Sequence, residues 1–212
     1  MGVVTHLPYL NLMSKSILSY CQISKTGVSL NGEMVHQFSE ETLTENLKAY
    51  YKSLDLGYSK FYKMDSLSKL GFLGIEAMKQ QNGHQLNQEC DDIALILFNN
   101  DSSLDTDVKH QAAINKKTPS PAIFVYTLPN IVIGEISIRN KWYGESAFFV
   151  QAKPDVDFLL KQIKVLTRTQ KAKKLVIGWL DCLEENFKCN LAFLDLNQEF
   201  DSKDALEKII YN

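Results

Sequence analysis

The sequence predicts an α/β domain in which a mixed sheet is layered between helices. Ile93–Phe98 is a continuous apolar run between polar residues, which is typical of a strand buried on both faces. Amphipathic segments separate the candidate strands, as expected when helices cover a sheet. Two further apolar runs, Leu175–Leu183 and Cys189–Leu196, are joined by a short polar connection and predict a carboxy-terminal β-hairpin.

The amino-terminal part predicts two strands before the first helix. Ile17–Ile23 is β-prone and is followed by a turn at Gly27 and by the short apolar run Val28–Leu30. The polar segment Ser39–Asp55 predicts a short helix or an ordered loop.

Residues 65–80 predict an amphipathic helix, because their apolar positions recur at spacings of three and four. Gly71 and Gly74 weaken the helix propensity by about 1 kcal/mol each relative to alanine, which favours a role in close packing against another element. The polar stretch Gln80–Glu89 predicts a surface loop.

The central part contains two predicted helices separated by prolines. Ser103–Ile114 suits a helix capped by a serine or an aspartate. Pro119 and Pro121 predict extended backbone before Phe124. Pro129–Lys141 then predicts a second helix, with Pro at its first turn and Gly134 at a close contact.

The last third predicts a strand over Ser146–Ala152 and a helix over Asp155–Gln170, opened by Pro154. Acidic residues in the first turn and basic residues in the last turn of this helix suit its dipole. After the hairpin, Lys203–Ile210 predicts a final helix.

Composition limits the possible functions. The 212 residues suit one domain spanning residues 1–212, and the formal net charge of −2 gives no general attraction to nucleic acid or anionic lipid. No run approaches the ~20 apolar residues that cross a bilayer, and the amino terminus lacks a secretory pattern. The four cysteines form no CxxC pair, which argues against a disulfide scaffold or a zinc site. We therefore expect a cytoplasmic protein.

Three stretches resemble the β-ketoacyl synthase family in order and spacing. Residues 119–144 contain Thr-Leu-Pro-Asn followed by a glycine and an isoleucine-rich segment. Lys63–Met78 resembles the family's Arg-Met-Ser-x-x-x-Lys-x-Gly helix, and Ile93–Asp107 resembles its strand and following loop. The resemblance covers roughly residues 16–183 and implies the amino-terminal half of the thiolase-like fold.

The chain departs from the family at the catalytic residues. Counting forward from Gly144, the position of the family's nucleophilic cysteine falls near Lys153, beside Pro154. The family's two catalytic histidines lie in the carboxy-terminal half of its fold. The histidines of this chain do not match their positions; they are His6, His36, His84 and His110. Without nucleophile or bases we expect no condensation, no catalytic residue and no cofactor.

The resemblance also implies a dimer, because in ketosynthases the matching strand pairs with its symmetry mate. Here that strand is an uncharged, β-prone run that would be a liability as an open edge. The alternative is an ordinary central strand. The predicted interface residues are Ser146, Ala147, Phe148, Phe149 and Val150.

These observations suggest a non-catalytic subunit of a type II fatty-acid-like or polyketide-like pathway, dimerising with itself or with an active ketosynthase. A second hypothesis is an acyl-chain or acyl-carrier-protein binding module that uses a basic cluster. Its members are Lys161, Lys164, Arg168, Lys171, Lys173 and Lys174.

Two other functional interpretations are disfavoured. An enzyme with relocated chemistry would use Lys153 or Cys182, but a lysine at a helix start is typically solvated and a buried thiol is inert. A cation site at Asp101, Asp105 and Asp107 lacks the glycine and distal glutamate of a calcium loop, so no metal is expected.

Overall fold

A computed structural model describes residues 15–87, 89–200 and 202–211. The strands are β1 Ile17–Ser24, β2 Gly27–Leu30, β3 Glu33–Gln37, β4 Ile93–Asn99, β5 Ser146–Val150, β6 Lys174–Leu183 and β7 Asn186–Asp195. The helices are α1 Leu43–Ser53, α2 Ser66–Leu86, α3 Leu104–Asn115, α4 Pro121–Val125, α5 Ile131–Asn140, α6 Val156–Thr169 and α7 Lys203–Tyr211. A 3-10 turn at Ser59–Lys63 precedes α2.

The seven strands form one mixed sheet in the order β3-β2-β1-β7-β6-β4-β5. β4 lies parallel to β5 and to β6, while the remaining neighbours are antiparallel. The mixed, helix-flanked sheet and the β6–β7 hairpin confirm the predicted fold class. β3 and β5 are the two edge strands.

Two hydrophobic clusters lie on opposite faces of the sheet. One contains the apolar side chains of α1, α2 and α5, and the other contains those of α6 and α7. Every residue from Leu67 to Met78 in α2 is buried. The sheet, α5 and the segment that includes α1 and the 3-10 turn enclose this helix on all sides. Its buried charged side chains are paired, since Lys69 donates to Met64 O and Glu76 pairs with Lys79.

The glycines of α2 have the packing role that the sequence predicts. A Cβ on Gly71 would lie 2.6 Å from Val132 Cγ2, and one on Gly74 would lie 2.8 Å from Leu191 Cδ1. The same prediction for Gly134 is wrong, since nothing lies within 4 Å of its virtual Cβ. Gly134 therefore faces open space on α5.

Several predicted boundaries are also wrong. α2 continues beyond Gln80 to Leu86, with a non-helical residue at Asn82, so most of the expected surface loop is helix. The expected extended segment before Phe124 is instead α4, because Pro121 occupies the first helical position, where no N–H is needed. β5 ends at Val150 rather than at Ala152.

β3 is a strand that the sequence analysis did not identify. Its residues Glu33–Gln37 lack the apolar run or clean alternation that predicts a strand. It forms because β2 offers it an antiparallel partner, with Leu30 opposite Glu33 and Gly27 opposite Gln37.

Candidate functional site

The predicted interface strand β5 lies at the edge of the sheet rather than at its centre. It pairs with β4 in register from Leu95 opposite Ser146 to Asn99 opposite Val150. No other strand of the described chain pairs with it. Its outer side is therefore open, which favours the edge-strand alternative over the central-strand alternative.

Aromatic side chains hold β5 on both faces of the sheet. Phe149 stacks on Phe98 at 5.3 Å between ring centroids and meets Phe158 of α6 edge-on at 5.1 Å. Phe148 points to the opposite face and packs against the cluster that contains α2. Both rings are only partly buried, so β5 is anchored and still presents apolar surface.

A groove of about 780 Å³ runs between α5 and β5. Gly134 lines it from the helix, and Phe148 and Val150 line it from the strand. Trp142 and Tyr143 close one side, and Tyr143 is 67% exposed. The groove was not predicted from the sequence, where Gly134 in the isoleucine-rich helix α5 was its one available signal.

Exposed apolar side chains are concentrated in one stretch of the sequence that includes α3, α4, α5 and β5. Of the fourteen large hydrophobic side chains that are exposed in the described chain, nine fall between residues 104 and 150. They are Leu104, Val108, Ile114, Phe124, Val125, Leu128, Ile138, Tyr143 and Val150. Of these nine, Tyr143 and Val150 line the groove.

Lys153, near the expected nucleophile position, is exposed in the bend between β5 and α6. Helix α6 begins just after it, where the Asp155 side chain accepts a hydrogen bond from Phe158 N. That carboxylate, and not a thiol, occupies the helix start. Lys153 thus lies between a strand, β5, and a helix, α6.

The cysteine considered as a displaced nucleophile is buried. Burial raises the pKa of Cys182 to about 12, and the same cause raises the pKa of Cys21 to about 12. A thiol of that pKa is almost fully protonated at neutral pH and is a poor nucleophile. Cys182 therefore packs as a small hydrophobic residue in β6.

The acidic loop after β4 is hydrogen-bonded to the β6–β7 hairpin. The Asp105 carboxylate accepts a hydrogen bond from Glu184 N at 3.1 Å and forms an ion pair with Lys109. Asp101 N donates to the carboxylate of Asp181, so the loop is tied to the β6–β7 hairpin at two points. Ser103, and not Asp105, stands at the N-cap position of α3. No group of three potential metal-ligating side chains occurs among the described residues.

The basic cluster divides into two parts. Lys171 pairs with Glu145 at 2.8 Å, and Lys173 pairs with Asp92 at 3.0 Å. Their charges are thus largely compensated. The other exposed members, Lys161, Lys164 and Arg168, follow the outer face of α6.

The histidines do not come together. The His36 ring contacts the Tyr50 ring in a tilted arrangement at 4.9 Å between centroids, whereas His110 lies beside Phe124 at 5.4 Å, in a different part of the chain. His6 and the side chain of His84 lie outside what the structure describes. No helix in the described ranges is long and apolar enough to span a membrane.

The fold is similar to that of several solved structures of ketosynthases. The ishigamide ketosynthase/chain length factor matches with a TM-score of 0.60 and 13% identity, over 85% of this chain and 61% of its own. The ketosynthase ApeO in complex with its chain length factor ApeC, from Xenorhabdus doucetiae, matches with a TM-score of 0.50 and 14% identity, over 86% and 79%. A β-ketoacyl synthase from Burkholderia phymatum matches with a TM-score of 0.51 and 9% identity, over 79% and 47%.

These matches confirm that the chain has a thiolase-like half-fold of the ketosynthase type. It spans less than two thirds of the ishigamide and Burkholderia chains. No protein-family model matches the sequence, and no curated protein matches it significantly. The identities of 9–14% support the fold alone.

Proposed function

We propose that the chain is a non-catalytic ketosynthase-like subunit of a type II fatty-acid-like or polyketide-like pathway, dimerising with itself or with an active ketosynthase. The observation that carries the proposal is the open, uncharged β5 edge beside an apolar groove. Native proteins pair or cover an edge of this kind. The structures of a ketosynthase with its chain length factor support the same pathway class.

The residues at the expected catalytic position support a non-catalytic role. Condensation requires a thiolate nucleophile and a base close to it. Lys153 is exposed, and the Cys182 thiol is buried with a raised pKa. Neither side chain has the environment of a reactive nucleophile, so the chemistry would belong to a partner.

The mass of the purified protein in solution tests the dimer. Light scattering should give a dimer for the protein alone, or a mixed dimer when a full-length ketosynthase from the same genome is added. A monomer in both samples would contradict the proposal. Either dimer would support it.

A charge placed on α5 locates the interface. Ile138 is 65% exposed near the groove, whereas Val165 is 54% exposed on α6, on the other side of the sheet. Ile138→Glu should reduce the dimer fraction because it places a carboxylate in an apolar contact. Val165→Glu is the matched control and should leave the mass unchanged. Equal loss of dimer in both variants would argue against an interface at α5 and β5.

The non-catalytic role has its own test. In a reconstituted pathway assay, the double variant Lys153→Ala, Cys182→Ala should form product at the wild-type rate, with its dimer mass and circular dichroism unchanged. The same assay should form no product when the partner ketosynthase lacks its nucleophilic cysteine. Loss of product with the correctly assembled double variant would assign chemistry to this chain.

The exposed basic stripe on α6 favours a second candidate, an acyl-carrier-protein binding module. Lys164→Glu, Arg168→Glu should then weaken binding of an acidic carrier protein by more than tenfold. The matched control is Lys171→Glu, Lys173→Glu, which makes an equal charge change at side chains already held in ion pairs. Equal weakening by both pairs would indicate general charge attraction, and no weakening would exclude this surface.

A further inference from the structure

A second cavity, here called the β3 cavity, lies near the other edge of the sheet, between β3, α1 and α2. Its volume is about 390 Å³, and ligand pockets in proteins begin at about 300 Å³. Val35 and His36 line it from the strand. Tyr50 and Ser53 line it from α1, and the exposed Gln80 lines it from α2. It shares no lining residue with the groove between α5 and β5.

A bulge in β3 brings two consecutive side chains to this cavity. Val28 of β2 lies opposite His36, and Ser29 lies opposite Met34, so Val35 has no residue opposite it. In a regular strand, consecutive side chains point to opposite faces of the sheet. The extra residue allows Val35 and His36 to line the same cavity. Bulges that redirect side chains are frequent next to active sites.

Two of the lining side chains are rings in contact with each other. The His36 and Tyr50 rings lie 4.9 Å apart between centroids, and Phe38 meets the His36 ring edge-on at 6.1 Å. Aromatic rings attract one another at centroid separations of about 4.5–7 Å, beyond the gain from burial alone. An aromatic molecule in the cavity is therefore favoured over an aliphatic molecule of the same size.

His36 and Tyr50 also have hydrogen-bonding groups that are not used within the fold. Neither the imidazole nor the hydroxyl forms a hydrogen bond with another residue of the described chain. Tyr50 is only 3% exposed, and buried polar groups normally have a partner. A molecule in the cavity can supply that partner.

The β3 cavity offers no charge to an ionic ligand. None of the described residues that line it is Asp, Glu, Lys or Arg. Burial lowers the pKa of His36, so its imidazole is neutral at neutral pH. Burial raises the pKa of Tyr50, so its hydroxyl stays protonated. An ionic ligand would lose hydration there without gaining a counter-charge.

We infer that the β3 cavity binds a small, uncharged aromatic molecule that carries a hydroxyl or N–H group, as phenols and indoles do. The aromatic ring packs against His36 and Tyr50. The hydroxyl or N–H group donates a hydrogen bond to the unprotonated nitrogen of the His36 imidazole. Because β3 and β5 are opposite edges of the sheet, this site goes beyond the proposed dimer and does not depend on it.

Three probes of similar size separate the features of the ligand. Phenol has the aromatic ring and the hydroxyl, cyclohexanol has the hydroxyl without the aromatic ring, and benzoate has the ring with a charge. Phenol should cause saturable shifts of the amide resonances of β3, α1 and α2 in the isotope-labelled protein. Cyclohexanol should bind about fivefold more weakly or less tightly still, and benzoate should leave these resonances unchanged.

The variant His36→Phe tests the hydrogen bond, because it keeps a ring and removes the imidazole nitrogens. It should weaken phenol binding by about fivefold or more. The matched control is His110→Phe, which changes the histidine beside Phe124 and should leave phenol binding unchanged. If His36→Phe misfolds by circular dichroism, Gln80→Trp fills the cavity from an exposed position and should abolish the shifts.

Several outcomes would overturn the inference. One is the absence of saturable shifts with phenol, and another is a set of shifts centred on Tyr143 and Phe148 in the other groove. Binding of cyclohexanol or benzoate as tight as that of phenol would also overturn it. So would unchanged phenol binding in folded His36→Phe or in Gln80→Trp. None of these results depends on the dimer, which light scattering tests separately.

Discussion

The two edge strands of the sheet, β3 and β5, differ in charge and in the regularity of their pairing. The difference indicates which of them can pair with a further strand. β3 contains Glu33 and His36, and a register shift interrupts its pairing with β2. Charges and irregular pairing are the features that keep an edge from adding strands. β5 has no charged residue and keeps an unbroken register with β4. The β3 edge is protected, whereas the β5 edge is open to pairing.

At each edge of the sheet, one glycine lies too close to neighbouring backbone to accept a side chain. Substituting these glycines should give the largest effect on stability. A Cβ on Gly144 would lie 2.2 Å from Ile93 O, and one on Gly27 would lie 2.1 Å from His36 O at a φ of +141°. Gly144→Ala and Gly27→Ala should each lower the free energy of unfolding by about 2 kcal/mol or more, because backbone must move.

The two alanine variants should differ in assembly. Gly144→Ala displaces β5 from β4 and should also reduce the dimer fraction, whereas Gly27→Ala should leave the dimer mass unchanged. Chemical denaturation measures the first quantity and light scattering the second. Loss of dimer in Gly27→Ala, measured where it is still folded, would show that the β3 side takes part in assembly.

A charge on each edge gives the next largest effect. Val150 and Val35 are 53% and 49% exposed, so they are matched positions on β5 and β3. Val150→Glu should weaken the dimer at least tenfold, which corresponds to about 1.4 kcal/mol. Val35→Glu should not change it. A dilution series followed by light scattering checks both, and equal behaviour of the two variants would contradict the contrast between the edges.

The smallest effect is a pH dependence confined to the β3 edge. Burial lowers the pKa of His36 from its ordinary value of 6.5. Between the lowered pKa of folded His36 and its ordinary pKa in the unfolded chain, the unfolded chain binds more protons. The stability that neutral, buried His36 contributes is therefore complete above about pH 6.5 and is lost as the pH falls through the pKa of the folded state.

His36→Gln should remove the His36 part of this dependence. We expect the difference in unfolding free energy between wild type and variant to shrink on acidification from pH 7.5 to pH 5. The dimer mass should stay the same, since β5 has no titratable side chain. A constant difference over that range would show that the His36 pKa is not lowered.

Strong local patterns predicted most elements. The continuous apolar run predicted β4, because a strand buried on both faces leaves such a run. The three- and four-residue spacing predicted that α2 is a helix, but not that neighbouring elements enclose it on all sides. Asp155 at the start of α6 confirmed the predicted acidic helix start. The short polar link between β6 and β7 likewise predicted their hairpin.

Elements whose stability comes from neighbours were not predictable in this way. β3 is a strand because β2 pairs with it. α4 differs, because its signals were local: Pro121 stands at the first helical position and Ser120 caps the helix. Gly134 resembled the close-packing glycines Gly71 and Gly74, yet it faces a groove. A glycine in a helix shows that a side chain is absent, and only the neighbouring elements decide what fills the space.

The sequence by itself determined the α/β class, the order of most elements and the apolar character of Ser146–Val150. It also predicted that Lys153 stands near the position of the family's nucleophile, and this stays a prediction. Only the tertiary structure decided that β5 lies at an edge of the sheet and that the groove runs beside it. The reason is physical, since strand order and hydrogen-bond direction arise from contacts between segments distant in the chain, which local periodicity does not encode.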